Sequence, residues 1–282
     1  SQKLSVLPVV ISALYSKSQF NFETFYKLYR ERHPNKPLPS KDFLEWLIGF
    51  TEGDGSFTLI KQHTPVFVIT QSTSDIQVLN YIKEVLGFGN VMKQGPTTSR
   101  YVVKDKANVE LLILVFNGNL VFPLKQSSFT LFLEAFNKRT QGFIIPFIPT
   151  LVLPTLYDYW LAGITDAEGC FTCSLLGNSK GYRFRFLLSQ LGLINQPILV
   201  HIANLLIGVV RPHYKQNNFE LTVNGVNNME KVLEYFDTHQ LRTKKAKSYL
   251  IWKEIRTSLM KGEHLSPDSR ALLKIKAARI NK

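Results

Sequence analysis

At 282 residues, 45% of them hydrophobic, the chain has material for one large core or two smaller ones. Its longest uninterrupted apolar run, Leu111 to Phe116, is far too short to span a bilayer, and SVLPVV near the start lacks the charged flank and small-residue cleavage site of a secretory signal. A soluble, intracellular protein with no membrane partner is expected. The net charge of +13, with 12% aromatic residues, points to an anionic polymer, and to nucleic acid before an anionic membrane surface.

The first predicted element is a helix, NFETFYKLYRER, ended by HPNKPLP, within an N-terminal extension covering residues 1–40. Ser40 is placed to cap a second helix running from Lys41 toward Gly53, with Leu44, Leu47 and Ile48 on its apolar side. That helix carries the stretch LIGFTEGDG. If Asp54 starts the strand that follows, then Asp54, Ser56, Thr58, Ile60 and Gln62 share one face, while Phe57 and Leu59 turn toward the helices. SFTLIK and PVFVITQ read as paired strands about a polar turn at 62–64. A helix, DIQVLNYIKEVLGFG, comes next with Ile76, Leu79, Ile82, Val85 and Leu86 on one face. NVMKQG and SRYVVKD form two more strands, joined at Gly95 and Pro96, and helical stretches at about 107–116 and 126–137 complete a unit spanning 41–137. Residues 138–158 hold three prolines and no helical period, which suits a linker packed against the core.

The same order then returns. LAGITDAEG begins at Leu161; CFTCSLL and YRFRFLLSQ are strands, and NQPILVHIANLLIG is a helix with Asn195 as N-cap and Pro197 in its first turn. VVRPHYK and NFELTVN are strands, and VNNMEKVLEYFD and KKAKSYLIWKEI are helices, giving a second repeat over 159–262. The interval from Gln71 to Gly89 equals that from Gln190 to Gly208, so the repeat is internal and real. A basic tail, 263–282, has a helix start at Ser266-Pro267-Asp268. The fold class is α+β: two pseudo-symmetric repeats, each an antiparallel sheet with helices on one face, joined at a two-helix interface. Cys170 and Cys173 lie on one strand, where residues three apart face opposite ways, so they read as ordinary reduced cysteines and not as a metal pair.

Gly49 and Gly53, matched by Gly163 and Ala167, remove side-chain bulk from one stripe of each helix and allow the two helices to approach nearly backbone to backbone. Packing alone does not explain the acids that follow. Two carboxylates brought together repel unless a cation lies between them, and hard oxygen ligands suit Mg²⁺.

The two nonapeptides resemble the paired motifs of the LAGLIDADG homing endonucleases, in the single-chain, two-repeat class of organelle introns. The resemblance covers residues 40–260, including both motifs, the strand–helix–strand order and the closing Lys-rich helix. It implies a metal-dependent phosphodiester hydrolase, a monomer cutting double-stranded DNA at a long, non-palindromic site, with a mitochondrial location. In that family the eighth-place acids, here Asp54 and Glu168, bind the catalytic metal; Mg²⁺ supports cleavage, and Ca²⁺ supports binding without it. The resemblance leaves Glu52 and Asp166 as structural groups near the helix ends. The carbonyls of Gly53 and Ala167 are candidates to complete the coordination. Gln71 and Gln190, at matching strand ends, are candidates for ordering water. Lys244 or Lys245 is the candidate catalytic lysine, whereas the first repeat offers only Lys125 followed by QSS, a departure that argues against strict symmetry.

Recognition then falls to the sheet faces as ribbons in the major groove. Alternation groups Ser56, Thr58, Ile60 and Gln62; Gln94; Arg100, Val102 and Lys104; Thr172 and Ser174; Arg183, Arg185 and Leu187; and Arg211, His213 and Lys215. Two other functions stay open on the same scaffold: an intron RNA maturase, with RNA as partner, and a DNA-binding regulator that has lost cleavage. Retention of both eighth-place acids argues against the regulator.

Overall fold

The computed structural model describes residues 19–150, 152–214 and 216–282; Lys215 and SVLPVV lie outside them. The chain divides into two compact units, one reaching to Ala167 and the other from Glu168 to Lys282. The division falls later than the repeat boundary anticipated at residue 159, because the second motif helix packs with the first unit. Among the described residues no helix is long and apolar enough to cross a membrane.

In the first unit α1 (Glu23–Arg32) buries Phe25 and Tyr29 and is tied down near its C-terminal end. The Tyr29 hydroxyl donates to the Leu86 carbonyl at 3.0 Å, and the Arg32 guanidinium pairs with Glu110. Ser40 then caps α2 (Lys41–Asp54), its Oγ accepting the Phe43 amide at 3.1 Å. Four strands follow: β1 (Gly55–Ile60), β2 (Thr64–Ser72), β3 (Asn90–Lys93) and β4 (Thr98–Val103). They form an antiparallel sheet in the order β1-β2-β4-β3. Between β2 and β3 lies α3 (Ile76–Leu86), which ends at Gly87 in the left-handed region. Its buried face is Val78, Leu79, Ile82 and Leu86; Ile76 and Val85, expected inside, are only half-buried. The helices α4 (Lys106–Phe116) and α5 (Pro123–Lys138) cover the sheet from the same side.

Phe57 shows how strand parity builds the core. Its ring touches Phe67 across the sheet at 5.6 Å and, from the helices, Phe116, Phe129 and Phe132 at 5.2, 5.2 and 5.4 Å. Leu59, expected to point the same way, is 38% exposed because the strand leaves the cover of the helices before reaching it. Gln62 leaves the strand altogether: it sits in a 3-10 turn, Lys61–His63, with φ of 60°. The segment at 138–158 is only partly the packed linker expected. Ile145 is buried and Asn117 and Asn137 hold its backbone, while Phe143 and Ile144 face solvent.

The second unit repeats the pattern with β5 (Gly169–Leu175), β6 (Tyr182–Leu191), α7 (Gln196–Leu206), β7 (Val209–Pro212) and β8 (Asn218–Asn224), the helix between being numbered after α6 (Trp160–Glu168). Its sheet order is β5-β6-β8-β7. Helices α8 (Glu230–Thr238) and α9 (Lys245–Met260) supply the cover, and Phe171 takes the place of Phe57, touching Phe186, Phe236, Tyr249 and Trp252 at 5.1 to 5.4 Å. Asn195 precedes α7 as expected but does not cap it with its side chain, which donates back to the Leu191 carbonyl at 3.0 Å. A last helix, α10 (Pro267–Ala277), clasps the edge of this sheet. Arg270 Nη2 donates to the carbonyls of Leu176 and Gly181, both at 2.7 Å, and Asn281 Nδ2 donates to the Phe171 carbonyl at 3.1 Å.

The closest approach in the first unit is between α2 and α6. A Cβ on Gly49 would stand 2.1 Å from the Trp160 carbonyl oxygen, and one on Gly163 would stand 2.0 Å from that of Trp46. The obstructing atoms are backbone, so no rotamer change relieves the clash. Gly49→Ala or Gly163→Ala is expected to cost at least ~3 kcal/mol in chemical denaturation. Gly95→Ala, with nothing within 4 Å of the added carbon, is expected to stay within ~0.5 kcal/mol of the parent.

Candidate functional site

Asp54 and Glu168 do not begin strands; each is the last residue of a helix. In α2 the helix holds one residue longer than expected because the Gly55 amide still reaches back to the Thr51 carbonyl. Asp54 is half-buried and Glu168 exposed. This setting suits a cation. The last carbonyls of an α-helix have no amide one turn ahead, and the helix dipole is negative there, so a terminal carboxylate adds charge to oxygens already turned outward. Gly53 and Ala167, half-buried one residue earlier, bring their carbonyls to the same ends. Among the described residues no group of three or more His, Cys, Asp and Glu converges. A hard cation held by few protein oxygens, with water filling its other positions, is the type that fits.

The sixth-place acids are built differently. Glu52 is buried, and its Oε1 accepts the amides of Val121 and Phe122 at 2.8 and 2.6 Å while Oε2 accepts the Trp160 indole N–H at 2.6 Å. Asp166 is buried and accepts the indole N–H of Trp46 at 2.8 Å. Each acid is thus bound by the tryptophan of the opposite helix, and both serve the helix pair.

Around Asp54 the structure gathers the candidate Gln71 and, beside it, Lys125. Gln71 Nε2 donates to Asp54 Oδ2, and Lys125 Nζ donates to the Gly55 carbonyl at 2.7 Å. Lys125 is the lone lysine that the sequence offers at this place in the first repeat, and the structure gives it a counterpart. Phe129 and Phe132 contact Phe57 as Tyr249 and Trp252 contact Phe171, and counting back four residues from Phe129 and Tyr249 pairs Lys125 with Lys245. The two lysines thus hold matching places on their helices, although the sequences around them differ. Lys245 is the first residue of α9, with Lys244 just before it. Its ammonium lies near Cys170, where burial pushes the thiol up and Lys245 draws it back. Gln190 is half-buried near the end of β6, opposite Phe219.

The sheet faces follow strand parity. On β6, Phe184, Phe186 and Leu188 are buried, Arg185 and Leu187 are half-buried and Arg183 is exposed. Thr172 lies beside Arg185, and Ser174 beside Arg183. In the first unit Ser56 and Ile60 are exposed, and Thr58 donates to the Val66 carbonyl at 2.6 Å. Arg100 lies opposite Met92, and Val102 opposite Asn90. The Nε atoms of Arg100 and Arg185 are buried with no hydrogen-bond partner. Gln94, Lys104 and His213 fall just beyond the ends of β3, β4 and β7. Cys170 and Cys173 are free and half-buried.

The family model described as LAGLIDADG endonuclease matches residues 47–136 and 161–256. A probable intron-encoded endonuclease 4 of Neurospora crassa is 39% identical over 246 residues; the alignment covers 85% of this chain and 44% of that protein. Among solved structures, the LAGLIDADG meganuclease I-CpaMI bound to uncleaved DNA superposes with a TM-score of 0.72 at 18% identity, over 85% of this chain and 99% of that one. The complex of I-SmaMI with uncleaved DNA target in the presence of calcium ions gives 0.67 at 17%, with the same coverage of each.

Burial governs the titration of the inner acids. It pushes Glu52 up to about 8 from 4.5 against the pull of its three N–H donors, and Asp158 up to about 7 from 3.8. With folded values raised, the native state holds protons that the unfolded chain has released, so stability is full below the unfolded values and falls as pH rises through the folded ones. Urea midpoints are therefore expected to fall between pH 5 and pH 8, the arm above pH 7 belonging mainly to Glu52. Glu52→Gln should flatten that upper arm in a pH series; an unchanged slope would show that another group carries it.

Proposed function

Because the chain belongs to the LAGLIDADG endonuclease family, we propose that it is a monomeric, site-specific DNA endonuclease of intron homing, hydrolysing one phosphodiester on each strand of a long, non-palindromic target. The observation that carries this reading is the doubled helix end, Asp54 after α2 and Glu168 after α6, each followed by a strand whose start is attended by a lysine. Intron-encoded relatives support an organellar, mitochondrial setting.

In this reading Asp54 and Glu168 bind divalent cations, with the carbonyls of Gly53 and Ala167 as further oxygen ligands. Mg²⁺ is the cation of cleavage, and Ca²⁺ supports binding. When bound, such a cation supplies Lewis-acid stabilisation of the leaving oxygen and acidifies the attacking water. The protein's own groups orient and balance charge. Gln71, donating to Asp54, fixes the carboxylate, and Gln190 is the matching group of the second unit. Lys125 and Lys245, with Lys244 beside the latter, sit where negative charge grows on the phosphate as the bond breaks. The sheet faces read the duplex, and the differing residues of the two repeats make its two halves differ.

Asp54→Asn or Glu168→Gln is expected to abolish double-strand cleavage while target binding in Ca²⁺ stays near the parent value. Full cleavage by either variant would move the assignment to other groups. Lys125→Met is expected to slow cleavage on the order of 10²-fold, as loss of one charge-stabilising donor does, with binding less affected. Single-turnover rates beside equilibrium binding separate the two effects.

A further inference from the structure

The groove-side face of the second sheet carries Arg183, Arg185, Arg211 and His213, and among its described residues a single acid, Glu220. A carboxylate pressed toward phosphates raises the cost of binding, so on such a face it needs a specific donor to offset that cost. Glu220 is also held in place. Its Oε2 accepts from Ser189 Oγ at 3.3 Å and its Oε1 from Thr222 Oγ1 at 3.4 Å, and His213 Nε2 lies 3.5 Å away. The side chain is 23% exposed, which leaves it an open aspect while its neighbours fix its direction.

Arg211 is its cross-strand neighbour, exposed and on β7, and these two opposite charges make no ion pair with one another. Arg211 is thus left open to another partner, and Glu220, held by Ser189, Thr222 and His213, keeps one open aspect. In the major groove a cytosine offers the N4 amino group as donor, and the guanine paired with it offers O6 and N7 as acceptors beside that donor. Adenine sets the N7 acceptor next to its amino group, which would repel the second oxygen of a carboxylate; guanine and thymine offer no donor there at all. Resting on the endonuclease reading above, we infer that Glu220 and Arg211 act as a couple that reads one C·G base pair, Glu220 accepting from cytosine N4 and Arg211 donating to guanine O6 and N7.

The test selects bound duplexes from a randomised pool in Ca²⁺, first with the parent protein and then with Glu220→Gln and Arg211→Ala. The parent should enrich a C·G pair at one position of one half-site. A glutamine can donate to N7 and accept from N6 of adenine, so Glu220→Gln should shift that one position from cytosine toward adenine, changing their ratio about tenfold or more. Arg211→Ala should lose the preference for the paired guanine, with neighbouring positions unaltered. Thermal melting confirms that the near-isosteric Glu220→Gln protein is folded. An unchanged preference in that variant overturns the inference. So does an equal gain in affinity for every sequence, the signature of simple charge removal. If the parent enriches no duplex at all, the DNA-binding reading itself falls, an outcome separate from failure at one base pair.

Discussion

Two backbones in van der Waals contact set the terms for the first unit. Where α2 and α6 meet, Gly49 and Gly163 leave no room for a methyl group, and the two helices touch along their main chains. Contact that close needs something to fix the register along the helix axes. The crossed indole bonds do this, Trp46 to Asp166 and Trp160 to Glu52, each joining one helix to the acid of the other. Glu52 extends the bracing to the chain before α5 through two amides. With sliding and rotation thus restrained, the helix pair fixes where α2 and α6 end, and Gln71 adds a bond to the carboxylate of Asp54. The acid two residues before that end supports the helix; the acid at the end is turned outward.

Much of this was legible in the sequence, and the reasons differ by element. The capped start of α2, the strand parity of β6 and the buried face around Leu79 and Ile82 all follow from local rules: a serine before an apolar period, alternation of two, a period near 3.6. Where those rules failed, a contact outside the sequence pattern decided. Asp54 reads as a strand onset because glycine and serine follow it, yet the Gly55 amide keeps the helix bond to Thr51. Leu59 has the right parity for the core, but the covering helices stop short of it. The match of Lys125 to Lys245 is hidden in the sequence because PLKQSS and RTKKAK share almost nothing. The correspondence appears only when both helices are aligned by the rings they press on Phe57 and Phe171.

The two repeats therefore diverge unevenly. The aromatic clusters keep the same contacts with different rings: Phe132 in one and Trp252 in the other fill equivalent space. On the opposite faces of the sheets the side chains lie outside these clusters, and the residues differ more, Met92 opposite Arg100 in one unit and Arg211 opposite Glu220 in the other. Like contacts inside and freedom outside are what a scaffold would show if its surface were to be rewritten without disturbing its shape.

The Arg270 clasp bears on a different hazard. An uncovered β-strand at the margin of a sheet is a template for pairing with another chain. β5 is such a margin, and the carbonyls of Phe171 on it and of Leu176 just past its end are already engaged by Asn281 and Arg270, beyond the last residue that the family model matches. The C-terminal helix thus works as a selvedge, a bound margin that keeps the fabric of one molecule from being woven into the next. Shortening the chain there would leave the sheet itself formed but open its side to neighbours, with aggregation in concentrated solution as the consequence.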